Sequence, residues 1–334
     1  MTGEGLPPRV PLARLPTPIE RLPRLSERLG VELFVKRDDL TGFLTSGNKV
    51  RKLEFLVAEA QAQKCDTLVT CGALQSNHAR TTAVVARRLG MESSLVLRGE
   101  PPEAYPGNLL IDMLVGAQIR TIEPEAWPRR DAIMEEVAEE LRAAGRSPYL
   151  IPEGGSNALG ACGYAHWVAE VMAQCEEENL VFDAVVHAVG SGGTSAGLLM
   201  GQALHGFQPA IVGIPVCNDA ATFRRIIGSI LEEAESHLGL KVDGPLDAIE
   251  LVDGYVGEGY GKNRPPEWSA LVDVARTEGL LLDPVYTGKA FFGLLEEVRA
   301  DPGRFGRRIL FIHTGGLFAL FPKEPELRAW LHEE

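Results

Sequence analysis

Cysteine is scarce in this chain and does not cluster. Five residues, Cys65, Cys71, Cys162, Cys175 and Cys217, are scattered over 334 positions, odd in number and without a CxxC spacing. That excludes a disulfide framework and a zinc knuckle, and points to reduced thiols in a cytoplasmic protein. Long apolar runs are also missing. No stretch reaches the roughly 18 residues a membrane span needs, so none is expected. The N-terminal MTGEGLPPRVPLARLP lacks the apolar core and cleavage site of a secretory signal. Positive charge is in deficit, with 33 Lys and Arg against 46 Asp and Glu and a net charge of −13. Binding to nucleic acid or to an anionic membrane through bulk charge is therefore not expected. A small anion at one local site stays open, because a helix N-terminus or a single lysine acts at short range. His78, His166, His187 and His313 show no metal-ligand spacing, so no catalytic metal is expected.

What is present is an alternation of apolar, β-rich runs and helical patterns, in a chain long enough for two α/β domains. Strands are expected at Thr67–Cys71, Ser94–Leu97, Gln118–Ile122, Pro148–Ile151, Ala184–Val189, Ala210–Pro215 and Ile309–His313. Helices are expected at Ala79–Leu89, Gly107–Val115, Arg130–Ala144, Ser195–Leu204, Phe223–His237 and Trp268–Glu278. This alternation predicts an α/β fold with mostly parallel sheets covered by helices on both faces. In such sheets ligands bind beyond the carboxyl ends of the strands, where every motif below falls.

The first motif, Ser46-Gly47-Asn48-Lys49-Val50-Arg51-Lys52-Leu53-Glu54, is a glycine-containing loop opening a helix that continues to Gln63. A cation suits a helix N-terminus poorly. Lys49 makes sense there if its amine is neutralised as an imine, a known nucleophilic use of lysine. The positive helix end would help depress its pKa. The second, Cys71-Gly72-Ala73-Leu74-Gln75-Ser76-Asn77-His78, sets short hydrogen-bonding groups after a buried strand. Ser76 or Asn77 is equally suited to cap the following helix. No carboxylate partner is evident for a Ser/His/Asp triad. The third, Gly190-Ser191-Gly192-Gly193-Thr194-Ser195-Ala196-Gly197, joins an apolar strand to a helix. Its glycines let backbone N–H groups approach a phosphate, and the helix dipole adds to the attraction. It lacks the Lys-Ser/Thr of a P-loop, and Ser195 stands where GxGxxG needs its last glycine. The C-terminal motifs are Gly259-Tyr260-Gly261, Asp283-Pro284-Val285-Tyr286-Thr287-Gly288-Lys289 and His313-Thr314-Gly315-Gly316. The two tyrosines can bring phenols to a pocket.

In order, VKRDDLTG, SGNKVRKLE, GALQSNHAR, GSGGTSAG, DPVYTGKAF and HTGG resemble the D-cysteine desulfhydrase and 1-aminocyclopropane-1-carboxylate (ACC) deaminase family from Leu15 to Leu320. These are pyridoxal 5'-phosphate (PLP) enzymes with the tryptophan synthase β-like fold (PLP fold type II). The resemblance implies two open, twisted, mostly parallel sheets flanked by helices. It places a large PLP-binding domain at residues 1–44 and 165–334, a small inserted domain at 45–164, the cofactor between them, and a homodimer. Lys49 would carry PLP, and Asn77 would hydrogen-bond its phenolic oxygen. Gly190, Ser191, Gly192, Gly193 and Thr194 would cradle the phosphate, with Asn48 and Lys52 nearby. Thr314 would meet the pyridine nitrogen. Ser76 would contact the carboxylate of a small amino-acid substrate or shuttle protons, with Asn77 and His78 beside it. Tyr260, Tyr286 and Thr287 would face that substrate from the other side.

Two positions separate the branches. The deaminases carry Glu after the tyrosine of DPVY and Leu before the two glycines, where this chain has Thr287 and Thr314. The resemblance is therefore closer to the desulfhydrases, which convert D-cysteine to pyruvate, hydrogen sulfide and ammonia. ACC deaminase, L-cysteate sulfo-lyase and a β-replacement transferase are the alternatives.

Overall fold

A computed structural model describes residues 5–100, 103, 106–240, 242, 246 and 248–333. Its ten strands are β1 (Ile19–Arg21), β2 (Glu32–Lys36), β3 (Thr67–Ala73), β4 (Glu92–Arg98), β5 (Gln118–Ile122), β6 (Pro148–Leu150), β7 (Ala184–Val189), β8 (Ala210–Pro215), β9 (Ile249–Leu251) and β10 (Arg308–Ile312). They form a six-stranded sheet, ordered β1-β2-β10-β7-β8-β9, and a four-stranded sheet, ordered β5-β4-β3-β6. Every pairing is parallel except β1 with β2. The strands expected at Gln118–Ile122, Ala184–Val189 and Ala210–Pro215 form over those same residues. The apolar β7 is buried along its whole length, as a central strand covered on both faces must be.

Helices α1 (Pro23–Leu29), α2 (Lys49–Ala62), α3 (Asn77–Arg88), α4 (Asn108–Leu114), α5 (Arg130–Ala143), α6 (Ala158–Glu178), α7 (Gly193–His205), α8 (Ala220–Leu238), α9 (Pro265–Glu278), α10 (Thr287–Ala300) and α11 (Glu324–Glu333) cover the sheets. The long α6 packs on both α2 and α7, and its Tyr164 and Trp167 join Phe55, Leu198 and Phe223 in the main core. Gly197 and Gly201 of α7 face Ala161, Tyr164 and Val168 of α6, letting the two helices approach closely. A division at 164/165 lies inside this continuous helix. Among the described residues no helix is long and apolar enough to cross a membrane.

A buried polar network explains the VKRDDLTG run. Arg51 donates to Asp38 at 2.8 and 3.1 Å and to Glu170 at 2.8 and 3.0 Å. Tyr164 donates to Asp38 at 2.7 Å, and Lys36 to Glu170 at 2.7 Å. The Asp38 carbonyl accepts from the Gly47 N–H at 3.0 Å, so this network fixes the loop that leads into α2.

Candidate active site

The glycine loop is built for an anion. β7 ends at Val189, Gly190 to Gly192 turn the chain, and the 13-residue α7 begins at Gly193. A Cβ on Gly193 would lie 2.6 Å from Ser156 Oγ and 2.8 Å from Lys52 Nζ, so only glycine fits without displacing them. Ser156 Oγ lies 2.8 Å from Ser191 Oγ and accepts from Lys52 Nζ at 3.1 Å. Lys52 is wholly buried, and no carboxylate lies within ion-pair reach of it among the described residues. Burial first, and Lys49 second, hold its amine well below the usual lysine value. A buried lysine amine without a counter-charge, two hydroxyls and a helix N-terminus thus converge on one spot, as a phosphate site requires.

Lys49 stands at the first position of α2, beside this cradle. The Asn48 N–H donates to the Thr314 carbonyl at 3.1 Å, and Asn48 Nδ2 to Thr194 Oγ1 at 3.2 Å, tying the lysine loop to the C-terminal motif and to α7. Lys49 Nζ makes no hydrogen bond or ion pair among the described residues. Burial lowers its amine to about 8, with Glu153 acting weakly in the opposite sense. Asn77, on the same pocket wall, accepts at Oδ1 from Asn108 Nδ2 at 3.0 Å, which leaves its N–H groups for the pocket.

Tyr286 lines the same pocket, with Tyr260 against it. Tyr260 and Tyr286 hydroxyls lie 2.7 Å apart with their rings edge to face. Burial raises the Tyr260 phenol to about 12 and, with Tyr260 beside it, holds Tyr286 well above the usual value. Both keep their protons at neutral pH. Asp283 fixes the backbone at Tyr286 by accepting from the N–H groups of Val285, Tyr286 and Thr287 at 2.7 to 2.9 Å. Lys289 donates to the carbonyls of Val256 and Gly259 at 2.7 and 2.8 Å, fixing the loop that presents Tyr260.

The structure brings most of the sequence-expected residues to one pocket. Asn48, Lys49, Asn77, Thr314, Gly190, Ser191, Gly192, Thr194 and Tyr286 all line it. Gly193 and Lys52 sit directly behind the glycine loop, and Tyr260 reaches it through Tyr286. Three others do not line the wall. Ser76 caps α3, accepting from the Ala79 N–H at 3.1 Å. His78 is buried with Nε2 2.9 Å from Thr70 Oγ1, and burial together with Lys49 and Lys52 holds its imidazole well below the usual value. Thr287 is wholly buried and donates to Asp283 Oδ1 at 2.7 Å, so its hydroxyl is occupied. Sequence reasoning missed Ser156, Asn108 and Asp283. The Asp-Pro pair at 283–284, a common turn opener, could have signalled the last. Ser156 and Asn108 carry no such signal.

Comparison with known proteins agrees with this site. Residues 10–315 match the family model described as pyridoxal-phosphate dependent enzyme. A D-cysteine desulfhydrase of Klebsiella pneumoniae is 41% identical, covering 96% of this chain and 97% of its own. The bifunctional mitochondrial D-cysteine desulfhydrase/1-aminocyclopropane-1-carboxylate deaminase of Arabidopsis thaliana is also 41% identical, covering 95% of this chain and 80% of its own. A crystal structure of an ACC deaminase homologue superposes with a TM-score of 0.89 at 40% identity, covering 97% and 96%. A threonine deaminase at 20% identity and TM-score 0.66 shares the fold. The residues present suit the cofactor: an unpartnered lysine amine, a cradle that a Cβ on Gly193 would fill, and a buried cation without a counter-charge. This chain belongs to the pyridoxal-phosphate dependent enzymes, within the group of D-cysteine desulfhydrases and ACC deaminases.

Proposed function

We propose that this enzyme is an α,β-elimination lyase that converts D-cysteine to pyruvate, hydrogen sulfide and ammonia. The observation that carries the reading is a base and a proton donor lining one pocket: Lys49, with its amine lowered to about 8, and Tyr286, which keeps its proton. Bound pyridoxal phosphate supplies an electron sink for the pair left when a Cα proton is removed. Lys52, Ser191 and Thr194 with the α7 N-terminus would hold its phosphate, Lys49 its aldehyde carbon, and Asn77 its phenolic oxygen. Lys49 accepts the Cα proton, its value being close to working pH as a general base requires. The Tyr260–Tyr286 pair shares one hydrogen bond, leaving one O–H to protonate the departing sulfur. With Thr287 bound to Asp283, the preference for the desulfhydrase branch rests on Thr314, which does line the pocket.

A substrate panel on the purified enzyme tests this. Pyruvate and sulfide should form from D-cysteine faster than pyruvate from L-cysteine or L-cysteate, or 2-oxobutanoate from ACC. Faster ACC turnover would assign the deaminase reaction. Consumption of an added thiol with loss of pyruvate would assign β-replacement.

We further place the enzyme in the cytoplasm as a homodimer, with a large domain of 1–44 and 165–334 and a small domain of 45–164 whose second boundary α6 spans. Its five cysteines are free. Phe43, Leu114 and Phe321 are 79%, 76% and 58% exposed, apolar surface that a second copy would cover. Light scattering should give twice the chain mass, and Phe43→Glu with Leu114→Glu should give the monomer.

A further inference from the structure

Arg80 is wholly buried, yet no carboxylate lies within ion-pair distance of it among the described residues. Its three hydrogen bonds go to neutral oxygens, one on Asn108 and two in the loop that leads to Lys49. Nε donates to Asn108 Oδ1 at 3.1 Å. Nη2 donates to the Ser46 carbonyl at 3.3 Å, and Nη1 to that of Leu44, in the loop that runs into Lys49. The Phe318 ring closes over the guanidinium at 5.1 Å. Asn108 is held at both ends of its amide. Its oxygen faces a group that can only donate, and its Nδ2 donates to the Gln75 carbonyl at 2.9 Å and to Asn77 Oδ1 at 3.0 Å. An amide is otherwise free to turn over, so this chain of fixed donors decides which end of Asn77 meets the pocket.

We propose that Arg80 is a positioning residue: through Asn108 it orients the Asn77 amide with N–H groups toward the cofactor, and it ties that amide to the loop carrying Lys49. The inference rests on the reading that Asn77 meets the cofactor's phenolic oxygen. A buried guanidinium without a counter-charge is costly, and carbonyl contacts offset that only in part. Its contribution therefore lies in geometry. Asp112, the acidic neighbour of Arg80, is buried with both oxygens unpartnered, so it does not complete the relay. Lys49, Lys52, His78, Glu153, Tyr260 and Tyr286 are further titratable groups around the pocket, and none is altered in the variants below.

The test is a mutant cycle on the holoenzyme, read as the pH midpoint of the visible band of the lysine-bound cofactor. An N–H donor favours an ionised oxygen, so losing it should raise the midpoint by about one pH unit, the size expected for a hydrogen bond to a charged group. Asn77→Ala, Asn108→Ala and Arg80→Lys should each raise it. Either of the last two combined with Asn77→Ala should add nothing, because the relay acts through that amide. A residue that only supports the fold would lower the melting temperature and leave the midpoint in place. If Asn77→Ala leaves the midpoint unmoved, the reading of Asn77 and this proposal both fall. If Asn77→Ala shifts it while Asn108→Ala does not, or while the double variants shift it additively, the proposal alone falls. Should Arg80→Lys not fold, the Asn108 cycle alone decides.

Discussion

Two strand-to-helix turns face the same pocket and recognise in opposite ways. After β7 the chain offers mostly backbone: three of the four residues from Gly190 to Gly193 are glycine, Ser156 and Lys52 exclude a side chain at Gly193, and the α7 N-terminus carries no side-chain cap. After β3 the chain offers side chains: Ser76 closes the α3 N-terminus with its own hydroxyl, and Asn77 projects an amide held from behind by Asn108. An open helix end attracts a diffuse dianion, which needs charge and close approach more than direction. At the capped end a side chain already takes one of those N–H groups, so specificity there depends more on one oriented amide. The same local architecture thus serves charge in one place and direction in the other.

The largest effect expected around this comparison belongs to neither turn. Lys49→Ala should abolish the visible band of the bound cofactor and reduce turnover below detection; a persisting band would remove Lys49 as the anchor. Next comes the glycine turn. Gly193→Ala puts a methyl group against Ser156 Oγ and Lys52 Nζ, and overpacking of about 1–3 kcal/mol should weaken cofactor binding roughly tenfold to a hundredfold in an equilibrium titration. Lys52→Met sharpens the argument because holo and apo forms should respond with opposite sign. Cofactor binding should weaken as the cation is lost. The apoenzyme should gain stability at neutral pH, because the buried amine has its value well below the ordinary 10.5. In that window the unfolded chain binds more protons, so apoenzyme stability rises with pH up to about 10.5. Lys52→Met should flatten this slope in urea titrations, and an unchanged slope would remove Lys52 from the buried cradle.

Much of this was legible in the sequence, for physical reasons that differ by element. β7 and β8 are short, mostly apolar runs closed by glycine or proline, a pattern that suits a buried parallel strand, and the glycine loop after β7 announces its ligand. Helix α6 went unread because its first two turns, Ala158 to Ala165, are buried all round. Gly160, Ala161, Cys162 and Gly163 give it no polar stripe to reveal a helical period. β1 and β9 were missed because they are three-residue edge strands whose pairing comes from the sheet, not from local preference. At the site, the sequence identified groups that lie within its motifs but not partners that come from outside them. Asn108 lies 31 residues from Asn77, and Ser156 lies 104 from Lys52, so only the fold unites them. Thr287 shows the converse: its motif drew attention to it, and Asp283, four residues earlier, occupies its hydroxyl.

A milder test concerns the amine of Lys49. With its value lowered to about 8 by burial, it is protonated below that pH and neutral above it. Only the neutral amine attacks a carbonyl carbon. The rate of cofactor uptake by the apoenzyme should therefore climb about tenfold per pH unit below 8 and level off above it. A rate still rising toward 10 would show an ordinary, solvated lysine.

The smallest effect separates the two turns most cleanly. Ser76→Ala removes the hydroxyl that caps α3 and should cost about 0.5–2 kcal/mol of stability, the range for a lost N-cap, seen as a lower melting temperature of the apoenzyme. Cofactor affinity should change far less than in Gly193→Ala, because Ser76 does not line the pocket. Ser76→Thr keeps a capping oxygen and should restore most of the melting temperature. Turnover then decides what else the serine does. If kcat falls by orders of magnitude in Ser76→Ala and stays low in Ser76→Thr despite the recovered stability, the capped turn also handles a proton or a carboxylate. The contrast between a turn for charge and a turn for direction would then have to include a third, chemical role.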